Sequence, residues 1–237
     1  MNIALPDKTK FINAMKERLT MNPKTTAVVA VDMHEGHLDP KTATMLVPEE
    51  ERKRVLTNTK RLVEMARKYE IPIIHVIINR RPIESRRRRN PFSETARRVN
   101  EKLEPDERSW TGKTGLIEGW WLPKIMPEIG PGPDDYVINN KKTYSAYYGT
   151  DLEILLRTLE VDTVVIIGIN TNTCDLCTSF ETVNLGYKLV VISDCVASVY
   201  GYDLHTFALQ NIARCFGWVL TLSEFEEKLK AGPDSRG

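Results

Sequence analysis

The sequence predicts an α/β fold, a three-layer α-β-α sandwich around a mostly parallel six-stranded sheet. Two observations predict it. Six short apolar runs alternate with segments of helical periodicity, the order that right-handed strand–helix–strand crossovers produce. The run TAVVAVDM at 26–33 is read as a continuous apolar run, as a strand covered on both faces is, and IPIIHVII at 71–78 as a second buried strand. A chain of 237 residues, 41% hydrophobic and 27% charged, has ordinary globular usage and is long enough for one large core.

The elements follow in order. The first strand, 26–33, starts after the breaker Asn22-Pro23. Val55, Leu62, Met65, Ala66 and Tyr69 recur at helical spacing among charges, which predicts an amphipathic helix over 49–70. The second strand is 71–78. A short strand is expected at 136–139 and a helix at 151–160, opened by the cap Thr150-Asp151. Strands at 163–168, 188–193 and 218–221 alternate with helices near 174–186, 203–216 and 223–230. The stretch 79–135 is too long for a simple connection. We read 1–237 as a single domain with this excursion, carrying its own helix near 93–103, as a lid or an interface.

Composition excludes several classes. Lysine plus arginine is 33 against 32 for aspartate plus glutamate, a net charge of +1, which argues against a whole-surface nucleic-acid or membrane-surface binder. No apolar run approaches the roughly 20 residues of a membrane-spanning helix. The N-terminus lacks a basic-then-apolar leader pattern. Four cysteines do not make a disulfide scaffold in a chain of this size. The expectation is a cytoplasmic protein with reduced thiols.

Sites in parallel sheets lie beyond the carboxyl ends of the strands. That rule selects Asp32 to His37, His75 to Asn79, Asn139 to Tyr148, Asn170 to Cys174, and Asp194. Cys174 stands past a strand at the start of a helix. Free N–H groups and the helix dipole there lower a thiol pKa and can hold an oxyanion. The plainer alternative is a small core residue. Cys177 completes C-x-x-C with Cys174, but the partners of a zinc site and the flanks of a redox pair are absent. Asp32 ends the first strand, where a carboxylate needs a partner. Lys141 or Lys142 can supply it from the third. Sulfur, carboxylate and ammonium then converge as nucleophile, base and orienting partner.

Three segments resemble the isochorismatase-like cysteine hydrolases, which include nicotinamidases, N-carbamoylsarcosine amidohydrolase, and biuret and ureidoacrylate hydrolases. VVAVDMHEGHLDP at 28–40 is similar to the family's first-strand motif. KKTYSAYYGTDLE at 141–153 is similar to its Lys-x-x-x-Ser-Ala-Phe segment. GINTNTCDLCT at 168–178, with GYKLVVISDCVAS after it, is similar to its cysteine segment. The resemblance implies Cys174 as nucleophile, Asp32 as general base and Lys141 rather than Lys142 as the lysine. It implies a cis Ile169-Asn170 bond and an oxyanion hole from the Asn170 and Cys174 amides. It implies a small-molecule amide or ureide substrate, no cofactor, and a homodimer or homotetramer.

The chain departs from that pattern at His34-Glu35-Gly36-His37, at Tyr147 and at Asp175. These polar positions (His34, His37, Tyr147, Asp175) are read as substrate-binding. The nicotinamidase metal pattern is absent after the second strand, so no metal is expected. True isochorismatases cleave a vinyl ether on this scaffold without a nucleophilic cysteine, which is the first alternative. A non-enzymatic binding protein is the second. Eight arginines between Arg80 and Arg98 are read as a solvated or subunit-contact surface, not a nucleic-acid patch. Trp120-Trp121 is read as core or pocket wall.

Overall fold

The computed structural model describes residues 6–87, 91–104, 106–109 and 122–232. Six strands form one sheet: β1 (Thr26–Val31), β2 (Ile73–Ile78), β3 (Tyr136–Lys141), β4 (Thr163–Ile169), β5 (Lys188–Ala197) and β6 (Trp218–Leu220). Their order is β3-β2-β1-β4-β5-β6 and every neighbouring pair is parallel. The expected fold class is therefore found. The order reverses between β1 and β4, so a crevice opens at their carboxyl ends.

Both faces of the sheet are covered, which is why the central strands read as unbroken apolar runs. On one face, Val28, Ala30, Val165, Ile167 and Val190 pack on α3 (Glu49–Lys68) and on α9 (Leu222–Ala231) through Val55, Leu62, Phe225 and Leu229. On the other, Val29, Val31, Val164, Ile166 and Val191 pack on α6 (Leu152–Thr158) and α8 (Tyr202–Cys215) through Leu152, Leu156 and Ile212. The helix α7 (Leu176–Asn184) joins that second layer through Leu176 and Val183. Each such buried aliphatic side chain contributes about 1.5–3 kcal/mol. Acids in the first turn of α3 (Glu49 to Glu51) and bases in its last (Arg67, Lys68) complement its dipole. A reciprocal cap starts α9: Glu224 N–H donates to Thr221 Oγ1, and Thr221 N–H donates to the Glu224 carboxylate.

The sequence reading gave no helix at the N-terminus, yet α1 runs Thr9–Glu17. None of its residues is buried, although Phe11, Ile12 and Met15 stand at helical spacing and mark one face. It is held by contacts from distant residues: Trp218 Nε1 donates to the Met15 carbonyl at 2.9 Å and Lys16 pairs with Glu224 at 2.8 Å. The excursion holds two helices, α4 (Pro82–Arg87) and α5 (Pro91–Asn100), where one was expected. Arg81, Arg97 and Arg98 pair with Glu84, Glu94 and Glu101, as a solvated surface requires. Trp120 and Trp121 lie outside the described residues. The end of the excursion returns to the sheet: Met126 N–H donates to the Met33 carbonyl, and Glu35 N–H, at the start of the short helix α2 (Glu35–Leu38), donates to the Lys124 carbonyl. No described helix is long and apolar enough to cross a membrane.

Candidate active site

Asp32 follows β1 with φ of 52°, a left-handed turn that aspartate tolerates better than most residues. Its N–H donates to the Val76 carbonyl, and its Oδ1 accepts from the Ile78 N–H at 2.9 Å. These bonds to β2 leave Oδ2 aimed across the sheet end. Lys141 reaches it from β3. Strict alternation would put Ile138 and Lys141 on opposite faces of that strand. Instead β3 takes an extra residue opposite the Val76-to-Ile78 step, and both side chains turn inward. The Lys141 Nζ donates to Asp32 Oδ2 at 2.5 Å and approaches Cys174 Sγ at 3.4 Å. The three groups are nearly sealed, with 1% exposure for Asp32, 0% for Lys141 and 8% for Cys174.

Lys142, the alternative, turns away. Its Nζ donates to the Asn79 carbonyl and pairs with Glu84, tying α4 to the sheet.

Cys174 sits in a wide helical turn over 171–175 that runs directly into α7, so it stands at the start of a helix as expected, in a wider first turn than a regular one. Thr173 and Asp175 N–H groups both donate to the Asn170 carbonyl at 3.1 Å. The Ile169-Asn170 peptide is cis, as the resemblance implies. Asn170 Oδ1 accepts from Val199 N–H, and Asn172 Oδ1 accepts from Ser198 Oγ. These anchors beyond β5 carry no sequence signal, because they lie nearly 30 residues downstream.

Burial alone would raise the Asp32 pKa, but Lys141 and then His34 beside it bring it below its ordinary value. Burial alone would lower Lys141, but Asp32 and Cys174 carry it above its ordinary value. The pair is therefore charged. Cys174 differs from expectation. Burial pushes its thiol up to about 12, and the Lys141 charge recovers only part of that. Desolvation outweighs the dipole, so the resting sulfur is a thiol with a carboxylate base close by. Because the folded pKa of Asp32 is depressed, its stabilising contribution is complete above about pH 4 and lost as pH falls below that. Acid unfolding followed by circular dichroism is expected to lose this component in Asp32→Asn.

Of the other predicted residues, His34 and His37 stack at 4.8 Å between ring centroids, with His34 Nε2 3.8 Å from Asp32 Oδ1. Burial depresses both, His34 to about 3, so both are neutral. His37 Nδ1 donates to the Met45 carbonyl at 3.0 Å, the role open to a neutral ring facing a carbonyl. The Tyr147 hydroxyl is bonded to Thr182 Oγ1 at 3.0 Å, so it serves the seam with α7. Asp175 is 0% exposed. Burial first, and the Asp32 charge second, raise its pKa well above the ordinary value. Its Oδ1 lies 2.5 Å from where a Cβ on Gly168 would stand, and Val31 O is 2.3 Å from that point. Gly168→Ala is therefore expected to cost about 2 kcal/mol in urea unfolding, because backbone on β1 cannot yield.

Two residues selected by the strand-end rule stay out of the site. His75 Nε2 is bonded to Asp135, which also binds Arg67. The strand β5 runs on to Ala197, so Asp194 is not at its end; it accepts the Leu222 N–H at the start of α9. All four cysteines are free thiols. Among the described residues, no group of three histidine, cysteine or acidic side chains is placed to hold a metal ion.

Comparison with known proteins adds to this geometry. The family model described as the isochorismatase domain matches residues 26–224. An uncharacterised isochorismatase family protein of Bacillus subtilis, YwoC, is 29% identical over 216 residues, 91% of this chain and all of that one. A ureidoacrylate amidohydrolase, RutB of Rhizobium rhizogenes, is 25% identical over 218 residues, 90% of this chain and 86% of that one. A cysteine hydrolase structure from Pseudomonas syringae superposes with a TM-score of 0.70 at 23% identity, covering 90% of this chain and 96% of that one. With the family model spanning the sheet and all three strand ends that build the site, the chain belongs to the isochorismatase domain family.

Proposed function

We propose that the protein hydrolyses a C–N bond of a small amide or ureide through a thioester on Cys174. The observation that carries this reading is the Lys141 ammonium lying between Asp32 and Cys174. The amidohydrolase named among the relatives supports it. Asp32 takes the Cys174 proton as the sulfur bonds to the substrate carbonyl carbon. The carbonyl electron pair moves to oxygen, held by the Asn170 and Cys174 amides. Lys141 keeps Asp32 ionised and steadies the negative charge as it forms. When the tetrahedral intermediate collapses, the C–N bond breaks and nitrogen leaves with the proton from Asp32. Asp32 then draws a proton from water, whose oxygen attacks the thioester and releases the acid and the free thiol.

His34, His37 and Asp175 form the polar surroundings in this proposal, while the Tyr147 hydroxyl is turned to Thr182. A substrate rich in N–H and C=O groups, carbamoyl-, biuret-, triuret- or guanylurea-like, suits them better than an aromatic amide. The excursion serves as lid or interface, and assembly as a homodimer or homotetramer rests on the resemblance alone. The test is an ammonia-release screen over biuret, triuret, guanylurea, N-carbamoyl amino acids and nicotinamide. Release from a ureide or carbamoyl compound is the expected result. Inertness toward the whole panel contradicts the proposal.

A further inference from the structure

Three consecutive side chains tether the segment that precedes the nucleophile. Asn170 and Asn172 are tied to Val199 and Ser198, just beyond β5. Thr171, between them, points elsewhere. Its Oγ1 shares a hydrogen bond of 2.9 Å with His205 Nδ1, in the first part of α8. Thr171 is 0% exposed and His205 is 7% exposed, so water competes little for either end of this bond.

A turn held only by Asn170 and Asn172 is fixed to one piece of backbone and can still pivot about it. The Thr171 bond ties it to a second, rigid element. Asn170 is the direct neighbour of Thr171, and Cys174 is in the same turn, whose Thr173 and Asp175 amides close on the Asn170 carbonyl. A rotation at Thr171 therefore re-aims the Asn170 and Cys174 N–H groups together. We infer that His205 is a positioning residue: through Thr171 it fixes the direction of the two amides that receive the substrate oxyanion. This inference rests on the oxyanion-hole reading above. Misplacing such donors by about 1 Å can cost up to two orders of magnitude in rate.

The test uses two probes of Cys174 in the intact protein, neither of which requires the natural substrate. With cyanate, the sulfur bonds to the carbon of isocyanic acid and negative charge moves onto its oxygen and nitrogen. The nitrogen then takes the proton, leaving an S-carbamoyl group. With iodoacetamide, the sulfur displaces iodide at a saturated carbon, and no oxyanion forms. Mass spectrometry of the Cys174 peptide follows alkylation, and the acid-quenched S-carbamoyl peptide together with the ammonia released by its hydrolysis measures carbamoylation. His205→Ala and the near-isosteric Thr171→Val are each expected to slow carbamoylation about tenfold, with alkylation within about twofold of the parent. The double variant should lose no more than either single one. His205→Asn, whose amide nitrogen can stand near the position of Nδ1, should restore carbamoylation.

An unchanged ratio of the two rates in Thr171→Val and His205→Ala overturns the inference and leaves the nucleophile reading intact. An equal fall in both rates also overturns it, because that marks a merely structural role. If Cys174 of the unaltered protein is carbamoylated no faster than a free thiol, the nucleophile reading falls, and this inference falls with it.

Discussion

Cys174→Ala is expected to remove amide hydrolysis, by about 10⁴-fold or more, with the fold unchanged. In the proposed mechanism the rate falls because Cys174 carries the acyl intermediate, and removal of a nucleophile of this kind has effects of that order. The fold survives because the lost sulfur is small. Its contact with Lys141 is 3.4 Å long, and Lys141 keeps its bond to Asp32. Ammonia release and urea unfolding, measured on the same preparation, separate the two effects.

The second large effect separates stability from chemistry. Lys141→Met leaves a carboxylate with 1% exposure and no ammonium beside it. Loss of one partner from a buried pair costs about 3–5 kcal/mol, and the thermal midpoint should fall accordingly. Asp32→Asn strands the ammonium and should also destabilise. The double variant, with neither charge, should recover most of the stability of the parent. Its activity should stay lost, since neither base nor orienting charge remains. If the double variant were as unstable as the single ones, these residues would not act as a coupled pair in the folded protein.

Most of the fold was legible because the chain writes it in runs. Val28 to Val31, Val164 to Ile167 and, but for His75, Ile73 to Ile78 are apolar without alternation because helices cover both faces of the sheet. Element ends were read less well, since tertiary bonds set them: β5 extends to Ala197 and β3 to Lys141, both past the expected limits. The helix α1 was legible in the spacing of Phe11, Ile12 and Met15, but so short an apolar stripe among charges was passed over. Within the site, Asp32 and Cys174 could be found from strand ends alone. Lys141 and Lys142 were equivalent until the resemblance chose between them. The physical reason for the choice, one extra residue in β3, has no mark in the local sequence. The raised Cys174 pKa was also hidden, because a dipole can be inferred from position but desolvation depends on everything packed around the sulfur. The Thr171–His205 bond joins residues 34 apart, from separate elements, and no spacing rule connects them.

The most direct test of the thioester is to quench turnover in acid and map the mass increments. Acyl mass on Cys174, absent from Cys174→Ala and absent from Cys177, is the predicted result. Full turnover with Cys174 unmodified at every time point, or undiminished turnover by Cys174→Ala, would contradict it.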